Sequence, residues 1–160
     1  MKKLLEKLNE KQKEAVCTTE GPLLIIAGAG SGKTLVLSHK ITYLIIEKGI
    51  LPEQILGVTF TNKAAREMKE RITSSLALYG RSADAHRLTL GTFHSICLNI
   101  LRMHAPKIGY TPSFVIFDER DQLGLIKEAC DTQGIDPKRF SPEMIASAIS
   151  KLKSRLILPN

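Results

Sequence analysis

The chain has 160 residues, 43% hydrophobic and 24% charged, enough for one packed domain or one and part of another, and its composition excludes disorder. A formal charge of +7 and a pI of about 9.4 suit a polyanionic partner without requiring one, because basic surfaces also serve solubility. Cys17, Cys97 and Cys130 lack metal-ligand spacing, no apolar run approaches a membrane span, and Glu6, Glu10 and Glu14 interrupt the basic start, which excludes a signal peptide. The expectation is a cytoplasmic protein with free thiols and no membrane contact.

Leu4, Leu5, Leu8, Gln12, Ala15 and Val16 recur at helical spacing and predict one amphipathic helix, ended by Gly21-Pro22. Leu23 to Ala27 is a short continuous apolar run, as expected of a strand buried on both faces. A glycine-rich turn leads into helical periodicity from Thr34 to Ile46. Ile55 to Thr59 predicts a second strand, and Ala64, Ala65, Met68, Ile72 and Leu76 a helix with a basic outer face. Tyr79 to Arg87 is polar and reads as a loop, followed by a third strand over Leu88 to Thr92 and a helix over Phe93 to Met103. Alternation of strand and helix argues for a parallel α/β sheet with right-handed crossovers.

Pro106, Gly109 and Pro112 mark a change of character, and the division falls between residues 1–112 and 113–160. Two helices are predicted beyond it, Asp121 to Gln133 and Pro142 to Leu156. The second opens with Ser141 as cap, Pro142 in the first helical position and Glu143 beside the positive helix end.

Ala27 to Thr34 reads AGAGSGKT, one methyl group away from the pattern G-x-x-x-x-G-K-[ST], with Ala27 at its first position. Gly28, Gly30 and Gly32 let the backbone curl and aim N–H groups at an anion, and the following helix adds its positive end. Ala29, Gly30, Ser31 and Gly32 would line a nucleotide's phosphates, with Lys33 reaching the β- and γ-phosphates and the Thr34 hydroxyl helping to hold Mg²⁺. A glycine-rich turn with an incidental Gly-Lys-Thr is the bland alternative. Kinases, transporter ATPases, GTPases and helicases share such a loop, so its neighbours must decide the class.

Several flanking stretches together resemble the UvrD/Rep/PcrA family of superfamily 1 DNA helicases. Leu8 to Val16, LNEKQKEAV, is similar to that family's glutamine motif, and Gln12 matches the residue whose amide pairs with adenine. Val58 to Met68, VTFTNKAAREM, is similar to a motif that contacts single-stranded DNA. The chemistry agrees: Phe60 offers a stacking face, and Thr61 and Asn62 open a helix whose start can bind phosphates. Taken alone, the segment also fits Phe60 as a core residue and Lys63 and Arg66 as a solvated face. Gly91 to Ser95, GTFHS, resembles the next DNA-contacting motif and nominates Thr92 and His94, although a lone His there also serves as a cap. In open α/β sheets such strand-to-helix junctions are where ligands bind.

The resemblance implies an incomplete RecA-like P-loop NTPase sheet with flanking helices over residues 1–112 and the start of an inserted helical subdomain over 113–160. It implies the amino-terminal part of an ATP-dependent 3′-to-5′ DNA helicase, acting on single-stranded DNA and on single-/double-strand junctions with the remainder of the helicase chain. A helicase–nuclease subunit and a small P-loop kinase are the alternatives, and the pathway, repair or otherwise, is not legible. Two departures stand out. Leu35 replaces an arginine usual after Lys-Thr, and Phe114 to Glu119 mimics a Mg²⁺-binding acidic motif in the wrong surroundings. Asp118 is therefore expected to cap a helix, with Asp121 in its first turn. The family's catalytic acidic pair, charge-stabilising arginine and second motor domain are not among these residues, so no useful ATP hydrolysis or unwinding is expected of them alone. Leu23 to Ala27 is expected to lie at an exposed apolar edge.

Overall fold

A computed structural model describes residues 2–157 and 159. The described residues form two compact units, one reaching Pro112 and the other starting at Ser113.

The first unit opens with two helices rather than one, α1 (Lys2–Leu5) and α2 (Glu10–Cys17). Asn9 stops the continuous helix expected here. Its backbone is extended, and its side chain accepts the Gln12 N–H at 2.9 Å while the Gln12 amide oxygen accepts the Asn9 N–H at 3.1 Å. This reciprocal cap is worth more to Asn than a position inside a helix, where its side chain competes with the backbone. Next come α3 (Lys33–Ile46), a three-ten turn (Pro52–Gln54), strand β1 (Leu56–Thr59) and α4 (Asn62–Ala77). A three-ten turn (Ser82–His86), strand β2 (Thr89–Thr92), α5 (Phe93–His104) and a third such turn (Ala105–Ile108) complete the unit.

β1 and β2 pair in parallel, Leu56 opposite Thr89 and Thr59 opposite Thr92, so both strands end level and both run directly into helices. Ile41 and Ile45 of α3 and Met68, Ile72 and Leu76 of α4 form the core with Ile55, Ala85 and Leu88. Gly57 belongs to this face: a Cβ there would run into the Leu90 side chain, with Met68 and Ile41 just behind it. Side chains alternate along a strand, so Gly91 faces the other way, where a Cβ would meet Ser95 and Ile96 of α5 at 2.7 and 3.3 Å. The sheet thus has helices on both faces, as a parallel sheet requires.

The expected strand over Leu23 to Ala27 does not form. Among the described residues β1 and β2 bond only to each other, and an apolar run without a neighbouring strand has no ladder to join. Leu24 and Ile26 are 82% and 89% exposed. The polar stretch before β2 is more ordered than its composition implies. Buried Asp84 accepts from Arg81 at 2.5 Å and Arg87 at 3.4 Å, Arg87 also pairs with Glu53, and Arg81 reaches the Ile45 carbonyl at the end of α3 at 3.3 Å. That network seats Ala85 in the core.

The second unit is a pair of packed helices, α6 (Glu119–Thr132) and α7 (Pro142–Ser154). Asp118 and Asp121 form a reciprocal cap on α6, and Ser141 caps α7 by accepting the Met144 N–H at 3.3 Å. Ile126 and Cys130 of α6 are its buried side chains among the described residues. No described helix is long and apolar enough to cross a membrane.

Candidate nucleotide and nucleic-acid sites

The loop before α3 is wound by two glycines with positive φ, Gly30 at 74° and Gly32 at 87°, a conformation that costs other residues a steric penalty. Gly32 is the N-cap of α3 and supplies no side-chain cap, and the first turn of that helix contains no acid. Its N–H groups are therefore left for an external acceptor. The Lys33 ammonium folds back onto the loop, donating to the Ala27 carbonyl at 2.8 Å and the Gly28 carbonyl at 2.6 Å. Ser31 braces the same turn through its hydroxyl, 2.7 Å from the Gly28 oxygen. The loop's carbonyl oxygens thus hold the Lys33 ammonium at the start of α3. Thr34 follows on the exposed start of the helix.

Gln12 reaches this loop from α2, its amide nitrogen 3.2 Å from the Ser31 carbonyl. A cavity of about 230 Å³ lies between them, bounded by Lys11, Gln12 and Ala15 on one side and Ile25, Ile26, Ala27 and Lys33 on the other. A second tie holds the other end of α2. The Lys40 ammonium donates to the Ala15 carbonyl at 2.9 Å and to the Thr18 carbonyl, satisfying orphan acceptors at the helix end. Partial burial lowers the Lys40 pKa below the usual lysine range, against an opposing pull from Cys17. Leu8, Val16 and Val36 fill the space between α2 and α3, and Leu35 packs against them. The residue that departs from the family's arginine thus takes a packing role here.

At the level ends of β1 and β2 stand two more helix starts. Thr61 caps α4 by accepting the Ala64 N–H at 3.1 Å, and Thr92 caps α5 in a reciprocal arrangement with Ser95. Neither first turn contains an acid. Asn62 and His94 are exposed beside these caps, whereas Thr92 is buried and its hydroxyl is already engaged with Ser95. Phe60 is 91% exposed, outside the core of this unit. Its ring lies 5.9 Å from that of Phe93, tilted by 50°, and Phe93 is itself half exposed.

Sequence reasoning nominated Gln12, Ala29 to Thr34, Phe60, Thr61, Asn62, Thr92 and His94. The structure brings Gln12 to the Ala29–Thr34 loop, and groups the other five around two adjacent helix starts. It adds Phe93, Asn9 and Lys40. The signal for Phe93 was available: Thr59-Phe60 and Thr92-Phe93 repeat one dipeptide, and pairing Thr59 with Thr92 sets the rings side by side. Nothing local distinguishes Lys40, whose partners lie 25 and 22 residues away. Asp118 and Glu119, the acidic pair in the wrong surroundings, begin α6, where Asp118 is the cap.

A parallel sheet flanked by helices, with a glycine-lysine-threonine loop opening one helix, defines an incomplete RecA-like member of the P-loop class. Residues 8–160 match the family profile described as UvrD/REP helicase N-terminal domain, and the chain belongs to that family. Over 159 residues it is 51% identical to the ATP-dependent DNA helicase PcrA of Staphylococcus aureus (strain Mu50 / ATCC 700699). It is 50% identical over the same length to the PcrA of Staphylococcus epidermidis (strain ATCC 12228 / FDA PCI 1200). Each match covers 99% of this chain but 21% of the relative.

Proposed function

We propose that these residues form the amino-terminal part of an ATP-dependent 3′-to-5′ DNA helicase or translocase, binding ATP phosphates and contributing to the single-stranded DNA path. The observation that carries the reading is a phosphate-ready loop in the same unit as an exposed aromatic pair flanked by acid-free helix starts. Identity to the two PcrA helicases supports it, and the polarity rests on the family resemblance alone.

In this reading the backbone of Ala29 to Gly32 and the Lys33 ammonium hold the phosphates, with Lys33 leaving the Ala27 and Gly28 carbonyls to do so. Thr34 would help hold Mg²⁺, which would supply charge neutralisation at the phosphates. Gln12 meets the adenine edge. Phe60 stacks a base, while Asn62, His94 and the starts of α4 and α5 take backbone phosphates, giving binding with little sequence preference. Thr61 and Thr92 act by shaping those starts. Single-/double-strand junctions are the natural substrate of such a motor, and the rest of the helicase chain is its partner.

Asp118, the acidic candidate of a self-contained kinase, is occupied in capping α6. The proposal therefore assigns binding, and no useful turnover, to these 160 residues alone. ATPase rates measured with and without single-stranded DNA, for this chain and for a longer one, test it. Lys33-dependent, DNA-stimulated turnover confined to the longer chain is expected. Robust turnover by this chain would overturn the assignment and return Asp118 and Glu119 to the active site.

A further inference from the structure

The side chain of Gln12 does more than face a base. Its amide oxygen accepts the Asn9 N–H at 3.1 Å, and its amide nitrogen donates to the Ser31 carbonyl at 3.2 Å. One residue thus joins the cap of α2 to the middle of the phosphate loop. The Gln12 nitrogen also lies close over Gly32, where a Cβ would come within 2.9 Å of it. Lys40 ties the far end of α2 to α3, so the helix carrying Gln12 is fixed against the helix that the loop opens.

We propose that Gln12 is a positioning residue for the phosphate loop, holding the Ser31–Gly32 peptide in its phosphate-binding orientation whatever base is attached to the phosphates. This rests on the nucleotide-binding reading above and deepens it. A primary amide has two N–H donors and an oxygen with two lone pairs. Two of these four capacities are used within the chain, one of each kind. One N–H and one lone pair remain, which is the complement that an adenine edge needs. Gln12 can therefore brace the loop and meet the base together, coupling the two ends of a nucleotide through a single side chain.

The test separates bracing from base reading by using a ligand without a base. Calorimetry compares Mg-ADP with Mg-tripolyphosphate on the 160-residue chain, in wild type, Gln12→Met and Gln12→Glu. Gln12→Met removes both contacts. Gln12→Glu retains the acceptor that caps α2 with Asn9, so the helix start survives, but loses the donor to Ser31. If Gln12 braces the loop, both variants weaken both ligands, Gln12→Met by roughly two- to tenfold, as expected for one lost hydrogen bond. Gln12→Glu weakens them further because its charge faces the phosphates. Weakened ADP binding with tripolyphosphate unchanged in Gln12→Met would make the residue a base reader only and overturn the proposal. So would unchanged affinity for both ligands. A wild-type chain that binds neither ligand would instead sink the nucleotide site itself, and the brace with it.

Discussion

The helices of the second unit begin differently from three helices of the first, whose α2 shares the second unit's pattern, with an Asn9 cap and Glu10 in its first turn. α6 and α7 of the second unit are closed by their own side chains, Asp118 and Ser141, and carry Glu119, Asp121 and Glu143 in their first turns. α3, α4 and α5 of the first unit carry no acid there, and α3 has no side-chain cap at all. Charge follows the same division. Sixteen of the 23 basic residues and nine of the 16 acidic ones lie in residues 1–112, whereas 113–160 holds seven of each. The whole excess of +7 therefore belongs to the first unit. A helix start that satisfies itself contributes stability, and one left open to an anion contributes a site. Gln12 apart, the proposed ligand residues fall at the acid-free starts.

The largest effect that would break this contrast lies in the loop. Lys33→Ala removes the ammonium from its cradle on Ala27 and Gly28, and binding of Mg-ADP or Mg-ATP should fall at least about tenfold, the scale of a lost charge-assisted hydrogen bond. Calorimetry showing unchanged affinity would remove the loop from the ligand surface. Phe60→Ala comes next. It should cost roughly 1–3 kcal/mol of single-stranded DNA binding, read by fluorescence anisotropy in a longer active chain. With its side chain almost wholly in solvent, the same substitution should leave folding stability within about 0.5 kcal/mol. Lost stability with intact DNA binding would restore the core reading. Phe93→Ala should weaken DNA binding in the same direction.

The phosphate loop, β1, β2 and the helices after them were legible because each rests on local pattern: glycine placement, apolar periodicity and cap residues. Asp118 and Ser141 were legible as caps for the same reason. Leu23 to Ala27 was misread because apolarity specifies burial, while a strand also needs a neighbour to bond, and that neighbour is not a local property. The break at Asn9 was missed since apolar spacing from Leu4 to Val16 runs straight through a residue that prefers to cap. Exposure of Phe60 could not be read from its own segment, where a core residue and a stacking residue look alike. It follows from where β1 ends. Long-range ties such as Lys40 to Thr18 leave no trace in spacing at all.

A smaller effect sharpens the scaffold side of the comparison. Asp118→Ala removes the side chain that accepts the Asp121 N–H at 2.9 Å and should cost about 1 kcal/mol at the start of α6. Hydrogen exchange should show the loss in residues 119–132, with nucleotide and DNA affinities unchanged. A drop in either affinity would place Asp118 in a ligand site after all.

The smallest expected effect concerns Glu143 at the start of α7. A hydrogen bond from its own backbone N–H, and then one from the Ser141 hydroxyl, hold its carboxyl below the usual glutamate range, while slight desolvation works the other way. The sign follows from linkage. A carboxylate whose pKa is lower folded than unfolded binds protons more readily in the unfolded chain, so its contribution is complete above the unfolded value, about 4.3. That contribution fades as the pH falls through the lower, folded value. The carboxylate is exposed, so the effect should be slight and reduced by added salt. Backbone NMR shifts of Pro142 to Ile145, followed from neutral pH into the acid range, should report fraying of the first turn of α7. Glu143→Gln should abolish that pH response, because it leaves no group at this position to titrate. The starts of α3 and α4, without a carboxylate or imidazole in their first turns, should give no comparable local response until the unit as a whole unfolds. Identical titration at the starts of α3, α4 and α7 would mean that a carboxylate in the first turn has no energetic content there, and the contrast between these helix starts would lose its physical basis.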